Sequence, residues 1–208
     1  MYKKTGVLLM CMGTAMLLAA LSLLLYNHME DKRGGDMAQD ILASMQTVIE
    51  EEDAVLQETG TGMLEMIIGG YGYIGSLSIP ALNLTLPVMS DWDDVRLKMS
   101  PCRYFGSLET DDMVICGHNY SRHFGNLKNL REGDMVLFTD VSGEPAVFSV
   151  KMIETLLPTQ IQEMIENHSD LTLYTCTYGG ESRLTVRCDR WGKGDMNAVP
   201  EMLSSLSP

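Results

Sequence analysis

Positive charge is scarce in this chain. Fifteen Lys and Arg face 28 Asp and Glu, a formal net charge of -13. Binding a phosphate backbone needs clustered cations, so no nucleic-acid partner is expected, and the acidic surface reads as solubility. Paired cysteines are missing too. Cys11, Cys102, Cys116, Cys176 and Cys188 contain no CxxC and no Cys/His cluster at zinc-ligand spacing. A domain of this size needs no disulfide staples, so free thiols are expected, at least one with a chemical role. There is no internal repeat and no low-complexity tract.

From Gly6 to Tyr26 charge is absent altogether, and Leu, Met and Ala dominate. A run of about 20 such residues spans a bilayer as a helix. Lys3 and Lys4 precede it, and the segment after it ends acidic. That asymmetry predicts a single-pass anchor with the N-terminus cytoplasmic and the rest of the chain extracellular. A cleaved signal peptide is the rival, but the apolar core is long for one and only Ala19-Ala20 offers a weak cleavage site.

The chain then divides into an anchor over 1–27, a linker and amphipathic helix over 28–68, and a β-rich domain over 69–208. His28 to Gly35 reads as a polar linker. Met37, Ile41, Met45, Val48, Ile49, Val55 and Leu56 recur at helical spacing, with Asp36 as N-cap and Gly60 and Gly62 as terminators. From Gly69 short apolar runs alternate with turn residues. Strands are predicted near 74–79, 84–88, 113–116, 135–139, 146–156, 171–176 and 183–189, with a turn or two of helix in 159–168. Many short strands at this spacing suggest an antiparallel barrel or sandwich.

The last two strands carry a chemical signal. In Leu171–Cys176, Thr172, Tyr174 and Cys176 share a face; in Arg183–Asp189, Leu184, Val186 and Cys188 face the core and Arg183, Thr185 and Arg187 face away. Six residues with two glycines, Thr177–Ser182, form a hairpin loop. Pairing then sets Cys176 opposite Arg183 at the loop mouth. A thiol beside a guanidinium favours thiolate, and the same cation suits an oxyanion. Arg187 lies four residues further, roughly 13 Å along the strand. The same spacing also suits a plain hairpin with a half-buried cysteine and surface arginines. A cysteine nucleophile works with a histidine. His28 is in the linker, His168 precedes the cysteine strand, and His123 lies inside a loop and reads as solvated. His118 ends a strand-like run where it opens into a loop, a common place for catalytic groups.

These residues resemble the sortases. Thr172-Leu173-Tyr174-Thr175-Cys176 is similar to their Thr-Leu-x-Thr-Cys motif, Arg183-Leu184-Thr185-Val186-Arg187 to the stretch bearing their essential arginine, and Gly117-His118-Asn119 to the context of their histidine. Gly75–Pro80 followed by Leu86-Pro87-Val88 resembles their first two strands. The resemblance implies a closed, mostly β sortase-type barrel of about eight strands with short helices, behind a transmembrane helix and an amphipathic one. It also implies a cysteine transpeptidase, a thiol protease by chemistry, of the Gram-positive cell wall. It would cleave a Leu-Pro-x-Thr-Gly-like sorting signal and form a thioester at Cys176. The acyl group would then pass to a cell-wall peptidoglycan amine or a pilin lysine. By the same resemblance His118 is the general acid and base, Arg183 holds substrate and oxyanion, and Thr175 helps position the peptide. No cofactor or metal is implied. Some sortases bind calcium through acidic loops, but Asp111-Asp112 and Glu163 with Glu166 read as solvated faces. Neither an Asp-Pro-aromatic lid nor a second membrane helix is found, so class B or class D is expected, with class B preferred. The alternatives are another cell-wall cysteine acyltransferase or peptidase, and a non-catalytic sortase-like binding module. L,D-transpeptidases place Arg two residues after their cysteine, where this chain has Tyr178.

Overall fold

The structure is a computed structural model and describes residues 2–50, 56–58, 62–166 and 168–191. They form two units, Met1–Arg33 and Gly34–Pro208. Helix α1 (Tyr2–Glu50) belongs to the first unit up to Arg33 and to the second from Gly34. It contains a stretch long and apolar enough to cross a membrane.

Two sequence expectations change here. The polar linker over 28–35 is helical, and Asp36 is an interior helical residue that pairs with Arg122, not an N-cap. A glycine in a helix interior costs about 1 kcal/mol. Gly34 and Gly35 are both buried against the domain, where a Cβ would crowd Lys98 and Tyr120 at the first and Arg122 at the second. The expected end of this helix falls partly outside the described residues, and Leu56–Glu58 is a strand.

The second unit is a β-barrel. Its strands are β1 (Leu56–Glu58), β2 (Leu64–Ile68), β3 (Tyr71–Ile79), β4 (Leu84–Met89), β5 (Cys102–Phe105), β6 (Met113–Gly117), β7 (Met135–Asp140), β8 (Pro145–Leu156), β9 (Leu171–Cys176) and β10 (Arg183–Arg190). Helix α2 (Arg96–Met99) lies between β4 and β5, and α3 (Ile161–Ile165) between β8 and β9. The ladder runs β3-β4-β5-β6-β9-β10-β8-β7 and closes through a β3–β7 pairing, giving eight strands in a ring. The pairs β4–β5 and β6–β9 are parallel and the others antiparallel. β1 and β2 extend the sheet from β3. Because β2 pairs with β3, the barrel sheet begins before the expected boundary at 69.

Closure depends on Gly75. It pairs with Val88 on one side and Asp140 on the other, at φ 155°. A Cβ there would sit 2.2 Å from the Thr139 carbonyl oxygen, so only glycine allows β7 this close. The barrel interior is filled from alternate strand positions, including Leu77, Val88, Ile115, Phe138, Phe148, Leu173 and Val186. β6 is buried along its whole length, which explains its unbroken apolar run. Its Met113 and Ile115 face the interior, while Cys116 packs outside with Met45, Tyr73 and Cys102.

β2 and β5 were not legible in the sequence. Cys102–Phe105 is four residues between Pro101 and Gly106, and Arg103 breaks its apolar character. Its pairing to β6 makes it a strand.

Candidate active site

β6 and β9 are parallel and in register, with Gly117 opposite Thr175. Their C-terminal ends therefore lie at the same level, where His118 and Cys176 follow these two residues. β10 is antiparallel to β9, and its first residue, Arg183, pairs with Cys176. Three adjacent strands thus deliver an imidazole, a thiol and a guanidinium to one rim of the barrel. All three side chains line a cleft of about 310 Å³.

The pairing of Cys176 with Arg183 matches the expected hairpin. The loop between them is held by the Thr177 amide donating to the Ser182 carbonyl at 2.9 Å and by the Thr177 and Ser182 hydroxyls at 2.9 Å. Gly179 and Gly180 take φ of 92° and 78°, which glycine accepts without strain. Arg183 Nη1 donates to the Gly180 and Ser182 carbonyls, both at 3.2 Å, so the loop orients the guanidinium.

Arg187 has a different environment. It is buried: its Nε donates to Glu154 at 2.7 Å, Nη1 to the Met164 carbonyl at 3.1 Å and to Thr172 Oγ1 at 3.1 Å, and Nη2 to the Glu163 carbonyl at 2.7 Å. It ties the last turn of α3 to the sheet and does not line the cleft. Thr175 is also buried, on the strand face opposite Tyr174 and Cys176, and the structure does not bring it to the cleft.

His118 is half-buried. Burial lowers its pKa below the ordinary imidazole value; Lys98 adds to this and Asp94 opposes it. The imidazole is thus held toward its neutral form at neutral pH. The His118 carbonyl accepts from the Phe124 amide at 3.0 Å, fixing the start of the following loop. A Cβ on Gly117 would lie 2.7 Å from the Phe124 ring, so the glycine before the histidine lets that ring pack. His123, expected to be solvated, is instead fully buried, because the loop folds back over the barrel mouth with Phe124 and Leu127 in the core.

The remaining thiols of the second unit have other surroundings. Cys102, Cys116 and Cys188 are buried. Burial pushes the Cys116 and Cys188 thiols up to about 12 and raises that of Cys102 as well. Cys116 also lines the cleft, but its packing on β6 and β5 keeps it protonated. Brief alkylation of the native protein with iodoacetamide, read by peptide mass spectrometry, should label Cys176 about tenfold faster or more than Cys102, Cys116 or Cys188, because those three are buried and Cys176 is partly exposed.

The cleft walls are apolar and came from no local sequence signal. Trp92, Tyr104 and Tyr174 form a chain of ring contacts with centroids 5.5 Å apart at each step. Leu157, Ile161 and Met164 form another part of the lining. These residues come from four separate segments, and only the barrel brings them together. Among the described residues, no group of three or more His, Cys, Asp or Glu is placed to hold a metal.

A mixed eight-stranded barrel with a thiol, an imidazole and a guanidinium at one rim is equipped for acyl transfer. The Sortase domain family model matches residues 77–191, more than half of the chain, and the chain belongs to the sortase family, a family of cysteine transpeptidases. Solved structures agree. Sortase C1 of Streptococcus agalactiae is 29% identical over 60% of this chain and 70% of its own, with a TM-score of 0.52. A sortase C1 from Streptococcus suis is 26% identical over 57% of this chain and 72% of its own, with a TM-score of 0.50. Sortase C from Clostridium perfringens, 22% identical over 74% of this chain and 89% of its own (TM-score 0.51), shares the fold. None of the curated proteins compared with the chain matches it.

Proposed function

We propose that this protein is a membrane-anchored transpeptidase that cleaves a Leu-Pro-x-Thr-Gly-like sorting signal through a thioester at Cys176. It would pass the acyl group to an amine of the cell wall or of a pilin lysine. The observation that carries this reading is the convergence of His118, Cys176 and Arg183 at one barrel rim.

In this scheme the Cys176 sulfur attacks the scissile carbonyl carbon as its proton passes to His118. A lowered imidazole pKa suits that step, because the neutral ring accepts the proton. Arg183 donates to the oxyanion from Nε and Nη2, while Nη1 holds the loop. When the C–N bond breaks, His118 returns the proton to the leaving amine. In the second half the incoming amine attacks the thioester, its proton passes through His118, and Cys176 is released as thiol. The apolar walls suit the Leu and Pro side chains of such a peptide. The apolar stretch of α1 would anchor the enzyme, with Lys3 and Lys4 on the cytoplasmic side and the barrel outside.

The test is to incubate the full-length protein in detergent with fluorogenic sorting-signal peptides and, separately, with muropeptides. Cleavage of the peptides after Thr, with transfer to an added amine, is the expected result. Turnover of muropeptides alone would replace this reading with a cell-wall peptidase.

A further inference from the structure

The imidazole of His118 is not held only by its own backbone. The ring of Tyr120 stacks on it, with centroids 4.7 Å apart and planes 24° from parallel. Tyr120 is fixed in turn. Its carbonyl accepts from the His123 amide at 3.0 Å and from the Gly125 amide at 2.9 Å. A Cβ on Gly125 would lie 2.6 Å from the Asn119 carbonyl oxygen and 2.7 Å from that of Tyr120, so the loop closes on itself at a distance only glycine permits. On another side the Tyr120 ring meets the buried His123 ring, centroids 5.4 Å apart.

A further contact comes from α1. A Cβ on Gly34 would lie 3.1 Å from Tyr120 Cδ2, 3.2 Å from Cε2 and 3.0 Å from the Lys98 carbonyl oxygen. One on Gly35 would lie 2.4 Å from Arg122 Nε and 2.7 Å from Arg122 Cβ. Two adjacent glycines inside a helix cost about 2 kcal/mol together in helix propensity. They sit where the histidine loop lies directly on the helix backbone. By contrast, Gly13, in the first unit, has nothing within 4 Å of such a Cβ.

We infer that Tyr120, braced by Gly34 of α1, is a positioning residue that fixes the ring orientation of His118 for proton transfer. The inference rests on the acid–base reading of His118 given above. A stacked aromatic neighbour that cannot retreat removes rotational freedom from the imidazole, and small errors in placing a catalytic group are costly in rate. The region of α1 from Gly34 onward thereby becomes part of the catalytic apparatus, not merely a tether.

The test uses full-length protein in detergent with a sorting-signal peptide. Tyr120→Phe keeps the stack and should hold kcat within about twofold, whereas Tyr120→Ala and Tyr120→Leu should lower kcat about tenfold to a hundredfold with KM little changed. Gly34→Leu should act in the same direction, and Gly13→Leu should not. Thermal melts identify any variant that has lost its fold, and Tyr120→Leu keeps apolar bulk for that reason. In spectra of histidine-labelled protein, the His118 Cε1–H resonance should be shifted upfield by the tyrosine ring current in wild type and Tyr120→Phe. The shift should be lost in Tyr120→Leu. Wild-type kcat in Tyr120→Leu, or a fall in kcat with the His118 resonance unmoved, would overturn the inference. Full turnover by His118→Ala would overturn the acid–base reading itself, and the inference with it.

Discussion

Replacing Cys176 with Ala should abolish peptide cleavage, with a loss of about 10⁴-fold or more, and should leave the barrel intact. The side chain is small and half-buried at a strand end, so removing its sulfur opens no large cavity. Mass spectrometry of wild-type protein mixed with a sorting-signal peptide should show an added mass on the peptide containing Cys176, absent in the variant. The other thiols cannot substitute. Cys116 lines the same cleft, yet burial holds its pKa near 12 and its place on β6 commits it to packing beside Cys102. Retention of cleavage by Cys176→Ala would refute the nucleophile assignment and point to another reactive group, whereas peptide binding without cleavage by the wild type would favour the binding module.

The second large effect separates two arginines four residues apart. Arg183→Ala should lower kcat/KM about 10²-fold to 10³-fold, because it removes the charged donor facing the developing oxyanion, while the melting temperature barely moves. Its guanidinium donates to the Gly180 and Ser182 carbonyls of its own loop. Arg187→Ala should do the reverse at first order. The buried guanidinium joins Glu154, Thr172 and two carbonyls of α3, and deleting it leaves those acceptors without their donor. A cost of about 3 kcal/mol follows, or roughly a 10 °C fall in melting temperature. Activity would fall with it, since α3 supplies Ile161 and Met164 to the cleft, but cooling should restore much of that loss. If Arg187→Ala proved inactive at full stability while Arg183→Ala turned over normally, the roles assigned to the two arginines would be exchanged.

Both predictions depend on a register that the sequence already contained. The alternation of Leu171 and Leu173, and of Leu184, Val186 and Cys188, fixes which side chains face the core. The six-residue loop then sets Cys176 against Arg183, as the pairing shows. Seven strands were legible for the same reason: each has an apolar run bounded by turn residues. The histidine could be picked by its place at the end of a strand-like run, but nothing local said that this strand runs parallel to β9. That pairing joins residues about sixty positions apart through β7, β8 and α3.

The sequence by itself determined the apolar N-terminal helix, the scarcity of cations, the hairpin bearing Cys176 and Arg183, and the motifs that match the sortase family. These are local properties, set by side-chain periodicity of two or 3.6 residues and by turn chemistry. Tertiary structure decided the rest. It made β5 a strand, since four residues flanked by Pro and Gly gain that form only from a partner. It buried His123 and Arg187, because a loop and a short helix fold onto the barrel. It buried Gly34 and Gly35, within a helix, against Tyr120, Lys98 and Arg122. And it left Cys176 partly exposed in the same cleft as His118 while burying Cys102, Cys116 and Cys188, because exposure depends on where a strand ends in space.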